Sequence, residues 1–189
     1  MSSMPPRSGD RRERVCVFID NGSLYTALYD LGIQCRLDYR RLRKWIINDR
    51  IPKIVRFYCG EIRSDKSSKK SFYNFLKRIG FDIISVHEPK SRAEHAALDE
   101  DLCAKIEALM SIDMLSCLAR HECDKMVLVS GSSRLVNAVR QIQDQGIDVE
   151  VNFFEEAVSD DLLNEANEFR GFQIEELRMR NGNPELEKV

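Results

Sequence analysis

Residues 127–136 read VLVSGSSRLV, an apolar run that breaks at Ser130, Gly131, Ser132 and Ser133 and resumes at Leu135. Such a run reads as a buried strand, KMVLVS, turning into the helix SRLVNAVRQIQDQG. Working outward, the same alternation recurs along the chain. Before it stand the strands VCVFID from Val15, KIVRFYCGEI and FDIISVHE, and after it IDVEVNFF. Between them lie helical segments: SLYTALYDLG, DYRRLRKWIINDR opened by Asp38, KSSKKSFYNFLKRIG stopped by Gly80, and a long stretch from about Ala93 to Arg120. SDDLLNEANEFRG is read as the closing helix, followed by a short FQIEEL segment. Five short apolar strands alternating with helices predict a three-layer α/β/α sandwich on a mostly parallel, five-stranded, Rossmannoid sheet.

Composition sets the class. With 189 residues and 43% apolar content the chain holds one domain with a substantial core. The expected boundaries are a flexible basic tail over 1–14, a domain over 15–177 and a polar tail over 178–189. No apolar stretch approaches a membrane span, and MSSMPPRSGDRRER has no apolar segment after its charges, so a soluble, cytoplasmic protein without membrane contact is expected. Six cysteines are scattered without a C-x-x-C pair, which suits reduced thiols. Cys117, His121 and Cys123 are zinc-ligand types, but that spacing lacks a fourth ligand. The net charge of −2 conceals an asymmetry: residues 1–92 carry 20 Lys and Arg against 10 Asp and Glu, and residues 93–189 carry 9 against 21. A basic side suits a polyanion. Two solvated faces explain the same counts, and a protein partner or a homo-oligomer is a further use of them.

In parallel sheets ligands bind at the carboxyl ends of the strands, which selects Asp20, the turn from Ser130 to Arg134, and Glu155 with Glu156. Asp20 suits a hard divalent cation or, alternatively, a helix cap. Asp113 falls on the stripe Leu102, Ile106, Leu109, Asp113, Cys117, so it needs a cation, a proton or hydrogen-bond donors. Glu107 lies about 120° round the same helix and reaches the rim of the crevice. Gly131, Ser132, Ser133 and Arg134 suit a phosphate, through helix amides and a guanidinium, although a serine helix cap accounts for the same residues. On the basic helix, Lys66, Lys69, Lys70, Lys77 and Arg78 with Tyr73 fit an RNA backbone and a stacking surface, or a merely solvated face.

These segments resemble a family. VCVFIDNGSLY is similar to the opening strand of NYN domains, PIN-like nucleases with the signature FIDG-x-N-L. IEALMSIDML stands in the place of the family's K-G-V-D-V-x-L-x-x-D-x-L helix, MVLVSGSSRLV in that of LVSGDSDF-x-P-L-V, and DDLLNEANEF resembles the closing helix. The resemblance implies a metal-dependent ribonuclease acting on single-stranded or structured RNA, with Asp20, Glu107 and Asp113 as catalytic acids holding Mg²⁺ or Mn²⁺. It also carries departures. Ser132 and Arg134 stand where the SGDSD turn has its aspartates, Ser23 replaces the asparagine of FIDG-x-N-L, and Lys105 replaces a glycine. Loss of those acids implies reduced activity, or a pseudo-nuclease that binds RNA or a nucleotide without cleaving it. Glu155 or Glu156 is the candidate to replace the missing oxygen ligand.

Overall fold

A computed structural model describes residues 12–61, 66–87 and 100–179. Most of the two expected tails therefore lies outside the described residues. In chain order the elements are β1 (Arg14–Asp20), α1 (Asn21–Asp30), α2 (Tyr39–Ile47), β2 (Ile51–Glu61), α3 (Lys66–Arg78) and β3 (Asp82–His87). They continue with α4 (Glu100–Ala119), β4 (Lys125–Val129), α5 (Val136–Gln143), β5 (Asp148–Phe153), α6 (Asp160–Glu165), β6 (Glu168–Gly171) and α7 (Ile174–Leu177).

The strands form one sheet in the order β3-β2-β1-β4-β5-β6, and every pairing is parallel. The expected parallel sandwich is present, with every pairing parallel, and one expectation changes: the sheet has six strands instead of five. The sixth strand, EFRG, offers one apolar side chain and pairs on one side only, so it lacks the apolar run that marks a buried strand. It occupies what the sequence suggested was the end of the closing helix, which stops at Glu165 with Ala166 extended.

Burial explains the apolar strands. Val15 to Ile19 are fully buried because β1 has a neighbour on each side and helices on both faces. Alternate residues supply two cores. Val15, Val17 and Ile19 pack with Leu24 of α1, Leu42 and Ile46 of α2 and Phe75 and Leu76 of α3. Cys16 and Phe18 pack with Ile106, Met110 and Met114 of α4, Val139 and Ile142 of α5 and Leu162 of α6.

Local signals hold each helix in place. The Asp38 carboxylate caps α2 by accepting from the Arg40 and Arg41 amides (3.0 and 3.2 Å). Gly80 ends the turn after α3 with φ +89°, a conformation only glycine adopts without strain. The charge asymmetry also gains a place: β1 to β3 come from the basic half of the chain and β4 to β6 from the acidic half. β1 and β4 meet at the boundary.

One buried charge cluster ties α2 to the acidic half. Glu150 of β5, 2% exposed, accepts from Arg50 Nη1 and Nη2 (2.6 and 3.1 Å), Arg170 Nη1 (3.2 Å) and Asn152 Nδ2 (2.7 Å). Arg50 also donates to the Ile46 and Ile47 carbonyls at the end of α2, and Arg170 lies over the Trp45 ring (4.1 Å). Burial pushes the Glu150 carboxyl up, but Arg50, Asn152 and Arg170 outweigh it and hold it below the ordinary range. Truncating Glu150 to alanine removes the carboxylate shared by Arg50 and Arg170, leaving Arg50 with Glu13 at 3.8 Å and the two carbonyls, so a loss at the low end for a broken pair, about 3 kcal/mol, is expected at pH 7 by urea unfolding. Because the native carboxyl is lowered, the difference between wild type and Glu150→Ala persists above the unfolded pKa and shrinks as pH falls through the native one.

Candidate functional site

The strand order reverses between β1 and β4, so their carboxyl ends open the crevice that a parallel sheet uses for ligands. Asp20 closes β1 there and is 4% exposed. Its Oδ1 accepts from the Ser23 amide (3.0 Å), capping α1, and its Oδ2 accepts from the Ser130 hydroxyl (3.2 Å) just beyond β4. It is thus a helix cap and a crevice carboxylate at once. Burial pushes its pKa up, the Ser23 amide opposes this, and the neighbouring charge of Glu107 pushes it further, to about 6.

Glu107 arrives from α4, whose buried face is Leu102, Ile106, Glu107, Met110, Met114 and Cys117. Its carboxylate is paired by Arg134 Nη1 (3.2 Å), while Arg134 Nη2 holds Glu100 (2.7 Å). The Arg134 side chain stays 45% exposed, so it sits on the lip of the crevice with one hand inside.

Asp113 does not join this pair. Tyr58 Oη donates to it at 2.6 Å and Arg56 Nη1 lies at 3.1 Å, beneath the middle of the helix. Six residues further along α4 than Glu107, it is about 9 Å towards the amino edge of the sheet. The expected stripe was one position off: Met110 and Met114 face the sheet, and Asp113 flanks them half-buried.

The serine turn is also more closed than the sequence suggested. The Gly131 amide donates to Ser23 Oγ (3.0 Å), the Ser132 amide to Ser130 Oγ (3.3 Å), and the Arg134 amide to Ser132 Oγ (3.3 Å). Ser132 caps a 3₁₀ turn, Ser133–Leu135, that precedes α5. Three of the amides expected to receive a phosphate are therefore spent inside the protein, and Ser133 and the Arg134 side chain face solvent. Gly131 has a separate reason to be glycine: a Cβ there would meet the Phe153 ring at 2.6 Å and collide with the Ala157 carbonyl. Glu155 and Glu156, on a 3₁₀ turn beside Gly131, are both exposed and lie on the rim.

The basic helix faces solvent through Lys70, Lys77 and Arg78, while Phe75 and Leu76 enter the core. The side chains of Lys66 and Lys69 lie outside the described residues. Running antiparallel to the strands it joins, α3 has its amino end on the crevice edge, and Lys77 and Arg78 are about 16 Å away along its axis. Tyr73 packs into the core and accepts from Cys59 Sγ (3.4 Å), so its ring is not a surface platform. Exposed aromatics lie elsewhere: Tyr25 and Tyr29 of α1 line an apolar groove of about 760 Å³ shared with Phe72, Phe75 and Tyr39. Asn21, next to Asp20, forms part of its wall. Their spacing of four on a helix gave no reason in the sequence to separate them from core residues.

A six-stranded parallel sheet with a buried acid pair at its switch point defines a three-layer α/β protein with a carboxylate crevice. The NYN domain model matches residues 14–173, and the chain belongs to that family, a PIN-like nuclease-family domain. Among solved structures, a Vibrio parahaemolyticus protein of unknown function has the same fold, with TM-score 0.74 and 18% identity over 92% of this chain and 100% of that one. Comparison with curated proteins gives no match. No helix among the described residues is long and apolar enough to cross a membrane.

The donor set of Asp20 and Glu107 fits a hard divalent ion, because of these two buried carboxylates only Glu107 is paired, by the Arg134 guanidinium, so the pair carries uncompensated negative charge. In metal-free protein that charge is a cost. With its native pKa raised to about 6, Asp20 favours the folded state when protonated, and this contribution fades as pH rises from about 4 through 6. Asp20→Asn is therefore expected to be more stable than wild type at pH 7.5 in chelator, by on the order of 1–3 kcal/mol, and indistinguishable near pH 4. Thermal unfolding at the two pH values checks it.

Proposed function

We propose that this NYN domain acts on RNA, holding one Mg²⁺ or Mn²⁺ ion on Asp20 and Glu107 and hydrolysing a phosphodiester slowly. The observation that carries the reading is the buried Asp20 carboxylate at the switch point, pushed up by burial and by the neighbouring charge of Glu107. When bound, such an ion supplies charge neutralisation and an activated water. Asp20 and Glu107 orient that chemistry, and the Ser23 amide and Ser130 hydroxyl fix the Asp20 carboxylate. Arg134, half-exposed beside Glu107, swings from Glu100 to a phosphate oxygen and holds the scissile strand. Lys70 of α3 extends the cationic track, and Tyr25 and Tyr29 offer surfaces on which bases stack.

A second reading, RNA binding without cleavage, is favoured by one specific feature. The guanidinium of Arg134 already neutralises Glu107. If it stays there, the crevice holds no metal, and RNA binds through exposed cations such as Lys70 without being cleaved.

Labelled single-stranded RNA with Mn²⁺ separates the two. Slow cleavage abolished by Asp20→Asn and by Glu107→Gln is the expected result. Binding that weakens steeply with salt, without cleavage, supports the second reading, and neither binding nor cleavage removes both. Arg134→Ala is expected to weaken RNA binding and to lower the salt slope by about one.

A further inference from the structure

At the opposite edge of the sheet, a second group of side chains converges that the crevice does not use. Cys16 of β1, Cys117 in the last turn of α4 and Glu122 in the loop to β4 bring their ligand atoms within 4.8 Å of one another. Cys123, also buried, is close enough to Cys16 to share a hydrogen bond. The loop closes back on the helix: the Arg120 and Glu122 amides donate to the Cys117 carbonyl (3.3 and 3.4 Å), and His121 takes φ +52°. That fold-back sets Glu122 over the thiols. His121, which the sequence offered as a ligand, is exposed and outside the group.

We propose that Cys16, Cys117, Cys123 and Glu122 form a closed, structural zinc site that ties β1, α4 and the start of β4 together. Three sulfurs and one carboxylate select zinc over magnesium, because soft thiolates prefer borderline ions and hard ions prefer oxygen. The spacing of Cys16, Cys117 and Glu122 suits the ion, since zinc–sulfur bonds of about 2.3 Å place tetrahedral sulfurs about 3.8 Å apart, inside their 4.8 Å spread. Cys123 stands outside that trio, against Cys16, and moves in to complete the set. Charge also agrees. Three thiolates, a carboxylate and Zn²⁺ sum to a dianion, and guanidinium groups stand around it. Arg120 Nη2 donates to Cys117 Sγ (3.7 Å) and its Nε to Glu122 (2.7 Å). Arg14 and Arg56, which also pair with Asp124 and Asp113, act on Cys123 and Cys117 respectively.

The site is independent of the acid pair. Cys16 precedes Asp20 by four residues on the same strand, about 13 Å away, so metal uptake at the two sites separates by variant and by metal.

The test uses the full chain purified in reductant. Elemental analysis is expected to find one zinc per chain. Replacement by Co²⁺ is expected to give a near-ultraviolet thiolate-to-cobalt charge-transfer band and the visible bands of a tetrahedral ion. Cys117→Ser and Cys123→Ser are each expected to lower the charge-transfer intensity by about one third, while Asp20→Asn leaves it intact. A wild-type chain that takes up neither zinc nor cobalt overturns the proposal without any variant. So does a charge-transfer band that survives loss of Cys16 and Cys117. Protein that carries a Cys16–Cys117 or Cys16–Cys123 disulfide and, once reduced, binds no metal overturns it as well.

Discussion

Two carboxylates held out of water beside one another govern this protein's crevice. Burial raises the cost of charging Asp20, and Glu107 raises it again. The surroundings answer in part. Ser23 and Ser130 reach Asp20 from elements far apart in sequence, and Arg134 reaches Glu107 from the turn after β4. The Ser23 contact is local, but the Ser130 contact depends on β1 and β4 lying side by side, since that pairing brings Asp20 to Ser130 across a separation of 110 residues.

The placement of Arg134 is the chemical novelty of the site. A residue that stands where the family's turn carries an acid has become the partner of the acid on the helix. A guanidinium and a metal ion are alternative ways to offset the same negative charge. Exposure matters here, because a half-exposed arginine exchanges partners at low cost while a buried one does not.

β1 serves the molecule at both ends. Its carboxyl end presents oxygen donors and its amino end presents a thiol, and each end is completed by α4 and by the segment next to β4. Hard and soft donors are thereby segregated on one strand, with the apolar residues Val17 to Ile19 between them. The ion network about Glu150 is a third, purely structural use of charge, fixing α2 to the acidic half of the sheet.

The alternation of apolar strands and helices, the caps at Asp38 and Ser132, the stop at Gly80 and the place of Asp20 at a strand end were all legible in the chain, because each depends on neighbours within a few residues. β6 was not, since an edge strand with one covered side needs no apolar run. Asp113 does find the cation and donor its position called for, in Arg56 and Tyr58, but its place on the buried stripe was not legible, because a helical stripe of period 3.6 can be drawn through Leu109 or through Met110, and only packing against the sheet chooses. The same holds for the zinc ligands: Cys117 and Cys123 are near in sequence, but Cys16 lies a whole crossover away. What the amino-acid order determined by itself was the set of elements and the identity of the strand-end acid. Which acids meet, which amides are already spent and which thiols converge was decided by tertiary structure, since those relations arise between segments that only the folded sheet makes neighbours.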